Sequence, residues 1–254
     1  VANCMDWAKH RRRKAAAKTH MRLDMESLLP RFAIVDTAKH NDNLRARELC
    51  AGLLDGEIVI FDRAYNDFDH LKDLDDRGVQ WVGREKKGTA CEVINTMEVS
   101  GDIVADEWIV LNNEMVVRRV TAWVEVDGKR KQFSFLSNNR HWSARSICDL
   151  YKARWAIEVF FKQIKQTLKL TDFLGHSANA VRWQVWTALL VYVLLRFLSR
   201  ISSWTHSFTR IFAVVRASLW QRMDLLGFLQ SLCGTAGGGF RNLARPEQAY
   251  FAGF

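Results

Sequence analysis

Within the segment YKARWAIEVFFKQIK, Tyr151, Arg154, Glu158, Lys162 and Lys165 set one carboxylate among three cations and a phenol. At about 100° per residue they fall at roughly 0, −60, −20, +20 and −40°, so one continuous helix would carry all five on a stripe about 80° wide. Leu150, Ile157, Phe161, Ile164 and Leu168 fall beside that stripe. Their position predicts an apolar face against the core, with Glu158 at its border. An amphipathic helix with a solvated face and an ordinary Glu158–Lys162 pair has the same pattern. A second acid favours chemistry. Asp62 ends the apolar run IVIF and is followed by Arg63, Ala64 and Tyr65. An acid at the carboxyl end of a strand opens onto the crevice where α/β sheets bind ligands, although turn and cap residues occupy such positions about as often.

Two carboxylates in a basic chain suit a site for hard divalent cations. Mg2+ takes a few carboxylate oxygens and keeps positions for water and phosphate. Two such ions about 3.5–4 Å apart activate the attacking oxygen and stabilise the leaving one in phosphodiester cleavage and strand transfer. Neighbouring Arg and Lys then hold the backbone phosphates without reading sequence. His20 and His176 read as packing or hydrogen-bonding histidines, because Mg2+ prefers oxygen.

The charge balance agrees. Lys and Arg number 37 against 28 Asp and Glu in 254 residues, for a formal charge of +9, which fits a polyanionic partner such as DNA. The run KHRRRK at 9–14, with Arg11, Arg12, Arg13 and Lys14, and nearby Lys18 are candidate DNA contacts. The five cysteines, at 4, 50, 91, 148 and 233, show no zinc spacing; they read as reduced, packed thiols of a cytoplasmic protein. The stretch VWTALLVYVLL, 185–195, is shorter than the roughly 20 residues of a membrane span. It is expected as a buried core helix, and no membrane partner is expected. Trp108, Trp123, Trp183, Trp186 and Trp220 are expected in core or dimer packing, with a base wedge as the other use of Trp108 or Trp123.

Several elements must position these residues. AKTHMRLDM (17–25) and LPRFAIVD (29–36) read as strands, NDNLRARELCAG (41–52) as a helix with its cap and closing Gly, EIVIFD (57–62) as a strand buried on both faces, DFDHLKDLDDRG (67–78) as a helix and VQWVGR (79–84) as a strand. This alternation predicts an α/β sheet. Between 95 and 136 the segments IVADEWIVL, MVVRRVTAWVEV and KQFSFL, with a DG turn, predict antiparallel strands. After a cap at Ser143 the chain reads as about three helices, with GTAGGG (234–239) as a linker in the tail.

The segment Tyr151–Lys165 is similar to the Y-x2-R-x3-E-x6-K signature of the insertion-sequence-four family of DDE transposases. FDRAY (61–65) resembles that family's second-aspartate motif, WAKHRRRKAAAKTHM (7–21) its basic segment and second strand, and GHSANAVRWQVWTALLVYVLL (175–195) the helix after the signature. The resemblance covers about Trp7 to Leu198. It implies a ribonuclease-H-like core at 1–94 and 141–205, a β-rich insertion at 95–140 and a C-terminal helical segment with a tail at 206–254. It further implies Asp62 and Glu158 as catalytic metal ligands for two Mg2+ or Mn2+ ions. Tyr151, Arg154, Lys165 and, less directly, Lys162 would contact DNA-end phosphates, with Arg63 beside them and Trp155 against an extruded base or in the core. A homodimer that joins two transposon ends follows from the same resemblance. The family's first aspartate, in a DST-like motif, has no match: Asp6 lies past its place, and Asp24 and Asp36 end strands without fitting it. The chain is therefore expected to be an N-terminally truncated transposase, either active in its intact parent or a remnant that only binds DNA.

Overall fold

The computed structural model describes residues 9–10, 14–15, 17–37, 42–65, 67–112, 114–126, 128–168, 173–175 and 177–233. Asp6, Arg11, Arg12, Arg13, His176 and the GTAGGG linker lie outside the described residues, as does the side chain of Lys14. In order come β1 (Lys9–His10), β2 (Lys14–Ala15), β3 (Ala17–Leu23), β4 (Pro30–Thr37), α1 (Asp42–Cys50), β5 (Ile58–Phe61), α2 (Phe68–Asp76), β6 (Gln80–Arg84), β7 (Cys91–Thr96), β8 (Ile103–Leu111), β9 (Val116–Val126) and β10 (Lys129–Ser137). Five helices follow: α3 (Ala144–Ala153), α4 (Trp155–Gln166), α5 (Ala178–Ile201), α6 (Phe208–Ser218) and α7 (Leu225–Cys233). The fold is α/β, as the alternation predicts. The described residues fall into two compact units, those of Val1–His40 and Ala156–Arg245 in one and those of Asn41–Trp155 in the other.

In the unit that begins at Asn41, six strands form one mixed sheet in the order β5-β6-β10-β9-β8-β7. Only β5 and β6 run parallel, with Phe61 opposite Gly83, because α2 crosses between them. Asp67 caps α2 by accepting from the His70 N–H. Gly78 ends it at φ 73°, where a side chain would meet the Asp55 carboxylate, so only glycine closes this turn without strain. The expected antiparallel strands are present, and they continue the β5–β6 sheet, since β10 pairs with β6. Strand β7 starts at Cys91, ahead of the 94/95 boundary. The DG turn leaves two residues between Val126 and Lys129, with Gly128 at φ 68°, as a tight hairpin requires. One expectation fails. β5 is an edge strand, so its apolar run is not buried on both faces, and Ile58 is 48% exposed.

Helix α3, capped by Ser143 as predicted, covers one sheet face through Ile147 and Cys148, which join Val82, Val120, Ala122 and Phe135 in a buried cluster. Each fully buried aliphatic or Phe side chain contributes about 1.5–3 kcal/mol. The loop before α3 is tied down by polar contacts. Asn138 Oδ1 accepts from the Trp81 N–H at 2.8 Å, and Asn138 Nδ2 donates to the Val79 carbonyl at 2.9 Å and to Asp75 Oδ1 at 2.8 Å.

In the other unit, β3 and β4 form a hairpin with His20 opposite Ile34. The helices α4 to α7, with Trp204 from the connection between α5 and α6, build its core from Phe160, Ile164, Val185, Leu189, Tyr192, Phe208, Ile211 and Leu229. Among the described residues α5 is the one helix long and apolar enough to cross a membrane by length and composition. One of its faces is buried, as expected, through Val181, Val185, Ala188, Leu189, Tyr192 and Leu195. Its opposite face is not: Trp183, Trp186, Leu190, Leu194 and Phe197 are exposed. Trp123 and Trp220 are exposed as well, so Trp123, Trp183, Trp186 and Trp220 are not core residues of this chain. The four described cysteines are free thiols, and burial pushes the Cys148 thiol up to about 12.

Candidate functional site

Asp62 stands directly after β5, where the strand gives way to a short 3-10 turn, Arg63–Tyr65. The turn holds Asp62 through both its side chain and its main chain. The Arg63 N–H donates to Asp62 Oδ1 at 2.7 Å, and the Tyr65 N–H donates to the Asp62 carbonyl at 2.9 Å. Arg154 Nη1 lies 3.9 Å from Asp62 Oδ2, and the two side chains are 19% and 44% exposed. The carboxylate thus faces solvent with coordination capacity left. Arg63 is itself exposed.

Tyr151 completes this group. Its ring rests 4.7 Å from Phe135 of β10, and the Arg154 guanidinium lies 5.6 Å from its centroid. Burial raises the hydroxyl pKa, an effect opposed by Arg154 and Arg84 and supported by Asp62. The phenol therefore stays a neutral donor beside an acid and fixed guanidinium groups, a set suited to a phosphate and a hard cation.

The helix predicted as continuous across the segment is interrupted at Arg154. The Arg154 N–H bonds to the Tyr151 carbonyl at 3.1 Å, a tightened turn that ends α3. Neither Gly nor Pro marks this site in the sequence; it is where the chain leaves one unit for the other. Beyond it, α4 carries Glu158, Lys162 and Lys165. There Glu158, Lys162 and Lys165 are all exposed, while Ala156, Phe160, Gln163 and Ile164 are buried. Glu158 does not sit at the core border. The helix has turned so that Phe160, which fills more of the core than Ile157, points inward and the charges point away. Trp155, at the junction, is half-buried, and Lys18 lies half-buried on β3.

The remaining acids separate clearly. Asp24 is consumed by the β3–β4 turn: it accepts from the Ser27 N–H at 2.8 Å and from two Arg31 nitrogens at 3.1 and 2.8 Å. These contacts, led by the Ser27 N–H, hold its carboxyl down at about 2. Asp36 is buried in β4. Among the described residues no three His, Cys, Asp or Glu side chains group as metal ligands.

Three features escaped the sequence reading. Arg84 ends β6 opposite Phe135, on which Tyr151 packs. Asn138 fixes the entry to α3. Arg118 and Asp106 form a buried pair at 2.6 Å, and Arg118 also donates to the Trp142 carbonyl. An acid and an arginine, each inside an apolar strand run, were the available signal for that pair, since buried charges are partnered.

A family model described as the transposase DDE domain matches residues 5–194, which include Asp62 and the whole Tyr151–Lys165 signature. The chain belongs to the DDE transposase family. This DDE transposase chain is 30% identical over 231 residues to the transposase y4zB of Sinorhizobium fredii, covering 86% of the chain and 64% of the relative. It is 27% identical over 202 residues to the transposase named for insertion sequence element IS5377 of Geobacillus stearothermophilus, covering 77% and 53%. With transposase InsG for insertion sequence element IS4 of Escherichia coli it shares 25% identity over 188 residues, covering 69% and 42%. The chain spans about half to two thirds of the first two relatives' lengths. Its α/β architecture agrees with the ribonuclease-H-like fold of DDE transposase domains, whose members use divalent metal ions.

Proposed function

We propose that the protein acts in metal-dependent cleavage and transfer of DNA strands at the terminal inverted repeats of an insertion sequence, in the bacterial cytoplasm. The observation that carries this reading is the set at the end of β5, with Asp62 exposed beside Arg154 and Tyr151. A structural acid would resemble Asp24, with its oxygens spent on the fold. Asp62 has oxygen left for a ligand.

The donor set fits Mg2+ or Mn2+, because both candidate ligands are carboxylates, the hard oxygen donors these ions prefer. Asp62 and Glu158 would hold the two ions, with Glu158 supplied by the exposed face of α4. When bound, the ions supply Lewis acidity to the attacking and leaving oxygens. The protein's own groups do the rest. Arg154 offers a planar fork to a phosphate, the Tyr151 hydroxyl donates to the same phosphate, and Lys162 and Lys165 extend the cationic surface along α4. Lys14, Lys18, Arg63 and Arg11–Arg13 add backbone contacts that position without reading sequence, and Trp155 packs against a base near the cut. A homodimer brings two ends together. Residues 1–94 and 141–205 serve as the catalytic core, 95–140 as its insertion and 206–254 as the C-terminal segment.

A second reading, DNA binding without cleavage, is supported by the described residues holding no group of three His, Cys, Asp or Glu side chains that could bind a metal ion. Strand cleavage of a terminal-repeat duplex with Mg2+ or Mn2+ decides between them. Cleavage that survives both Asp62→Asn and Glu158→Gln overturns the catalytic assignment. Salt-dependent binding with no cleavage establishes the second reading, and no binding at low salt removes both.

A further inference from the structure

Arg84 closes β6, and three relations place it in the Asp62 group. In the parallel pair Phe61 is opposite Gly83, so Asp62 and Arg84 are the next residues out at the same end. In the antiparallel pair Arg84 is opposite Phe135, whose ring contacts Tyr151. Directly opposed residues share a sheet face. Arg84 therefore projects toward α3 on the side where Tyr151 packs.

Its guanidinium is also held in place. It lies 3.8 Å over the Phe133 ring, two residues along β10 from Phe135 and on the same face. A guanidinium stacked on an aromatic ring has its plane fixed, and its five N–H groups allow it to serve more than one acceptor. Binding an anion then costs little further side-chain ordering.

We infer that Arg84 is a direct phosphate ligand, a third contact beside Tyr151 and Arg154 that seats a DNA phosphodiester next to Asp62. The geometry suits this ligand class. Two guanidinium groups flank one phenol, which gives a planar, multidentate donor surface, while the single carboxylate leaves the group with net positive charge. A phosphodiester carries one negative charge and two free oxygens, which such donors bind bidentately. The inference rests on the DNA-cleaving or DNA-binding reading above.

The rival role for Arg84 is charge balance for Asp62. The two roles differ in salt dependence, because each phosphate contact that replaces condensed counterions steepens the fall of log K with log salt by about 0.9. The experiment is fluorescence anisotropy of a short labelled duplex DNA across a NaCl series, without divalent metal. Arg84→Gln is expected to bind several-fold more weakly at moderate salt, with a slope shallower by about one. Arg84→Lys retains the slope but loses affinity, since an ammonium neither stacks nor forks. Thermal melting checks each variant. Should Arg84→Gln fail to fold, Phe133→Leu frees the guanidinium while leaving its charge, and a several-fold affinity loss at unchanged slope is expected. If the unaltered protein binds while Arg84→Gln retains both its affinity and its slope, the phosphate role is overturned and the DNA-acting reading stands. If the unaltered protein itself fails to bind at low salt, that underlying reading falls.

Discussion

The two halves of the Tyr151–Lys165 signature are built by different means. Tyr151 and Arg154 belong to the unit of the six-stranded sheet, where Phe135 of β10 packs on Tyr151, Asp62 follows β5 beside Arg154, and Arg84 ends β6 opposite Phe135. Glu158, Lys162 and Lys165 belong to the other unit, on one exposed helix face whose opposite side is buried through Phe160 and Ile164. The first half is specified by long-range pairing and the second by helical period. A single motif in sequence is therefore two sites of construction in the fold, joined at the tightened turn of Arg154.

The largest expected effect treats the halves as equals. Asp62→Asn and Glu158→Gln, one in each unit, should each lower strand cleavage by about a thousandfold or more, since loss of a metal ligand removes several kcal/mol of charge stabilisation. Both side chains reach solvent, so melting temperatures should stay near that of the parent. A large difference between the two in cleavage rate would break the comparison by making one half dispensable.

Stability should divide the halves. Arg118→Ala strands Asp106 in a buried site, at a cost of about 3–5 kcal/mol, and should speed hydrogen exchange in α3, which the Trp142 contact helps to anchor. Phe160→Ala costs about 3–5 kcal/mol through the cavity it leaves and should speed exchange in α4. Denaturant unfolding measures the totals and exchange mass spectrometry locates them. Equal loosening of both helices by either variant would show one cooperative structure where two units are drawn.

Tyr151→Phe is a smaller test confined to the sheet-built half. The ring keeps its packing on Phe135, so neutral-pH stability should change by less than about 1 kcal/mol, while DNA affinity falls several-fold with the lost donor. The pH dependence has a definite sign. The folded pKa of Tyr151 lies above the ordinary value near 10, so above that pH the unfolded chain ionises first and stability falls as pH rises. Tyr151→Phe should lessen this alkaline loss in urea melts. An unchanged loss would assign it to Tyr192, whose hydroxyl is also raised by burial.

Much of this was legible in the sequence, and the reasons differ by element. Strands β3 to β6 and β8 to β10 follow from alternation, apolar runs and turn residues, and the cap Ser143 from its type and place. Asp62 was legible because an acid ended an apolar run. The helix break at Arg154 was not, because no Gly or Pro encodes it. Arg84 was not, because its role depends on which strand lies beside β6, a relation 50 residues away in the chain that periodicity does not carry. The facing of α4 was misread for a related reason: Ile157 and Phe160 are both apolar, and only the shape of the core around Tyr192, whose ring centroid is 4.8 Å from that of Phe160, selects between them.

The smallest effect concerns the acid that most resembles Asp62 in sequence. Asp24 also follows an alternating strand, yet its oxygens serve the turn and Arg31. Its carboxyl is held at about 2, below its unfolded value near 3.9. A depressed carboxylate stabilises the fold above the unfolded pKa, and that stability is lost as pH falls from about 4 toward 2. With solvent screening at this partly exposed turn, Asp24→Asn should cost about 1 kcal/mol at neutral pH and nearly nothing at pH 2. It should leave DNA cleavage unchanged, which Asp62→Asn cannot do if Asp62 is the metal ligand. Cleavage that falls with Asp24→Asn at constant stability would move the catalytic acid from the sheet-built half into the hairpin. The contrast between a spent carboxylate and an open one would then no longer identify the site.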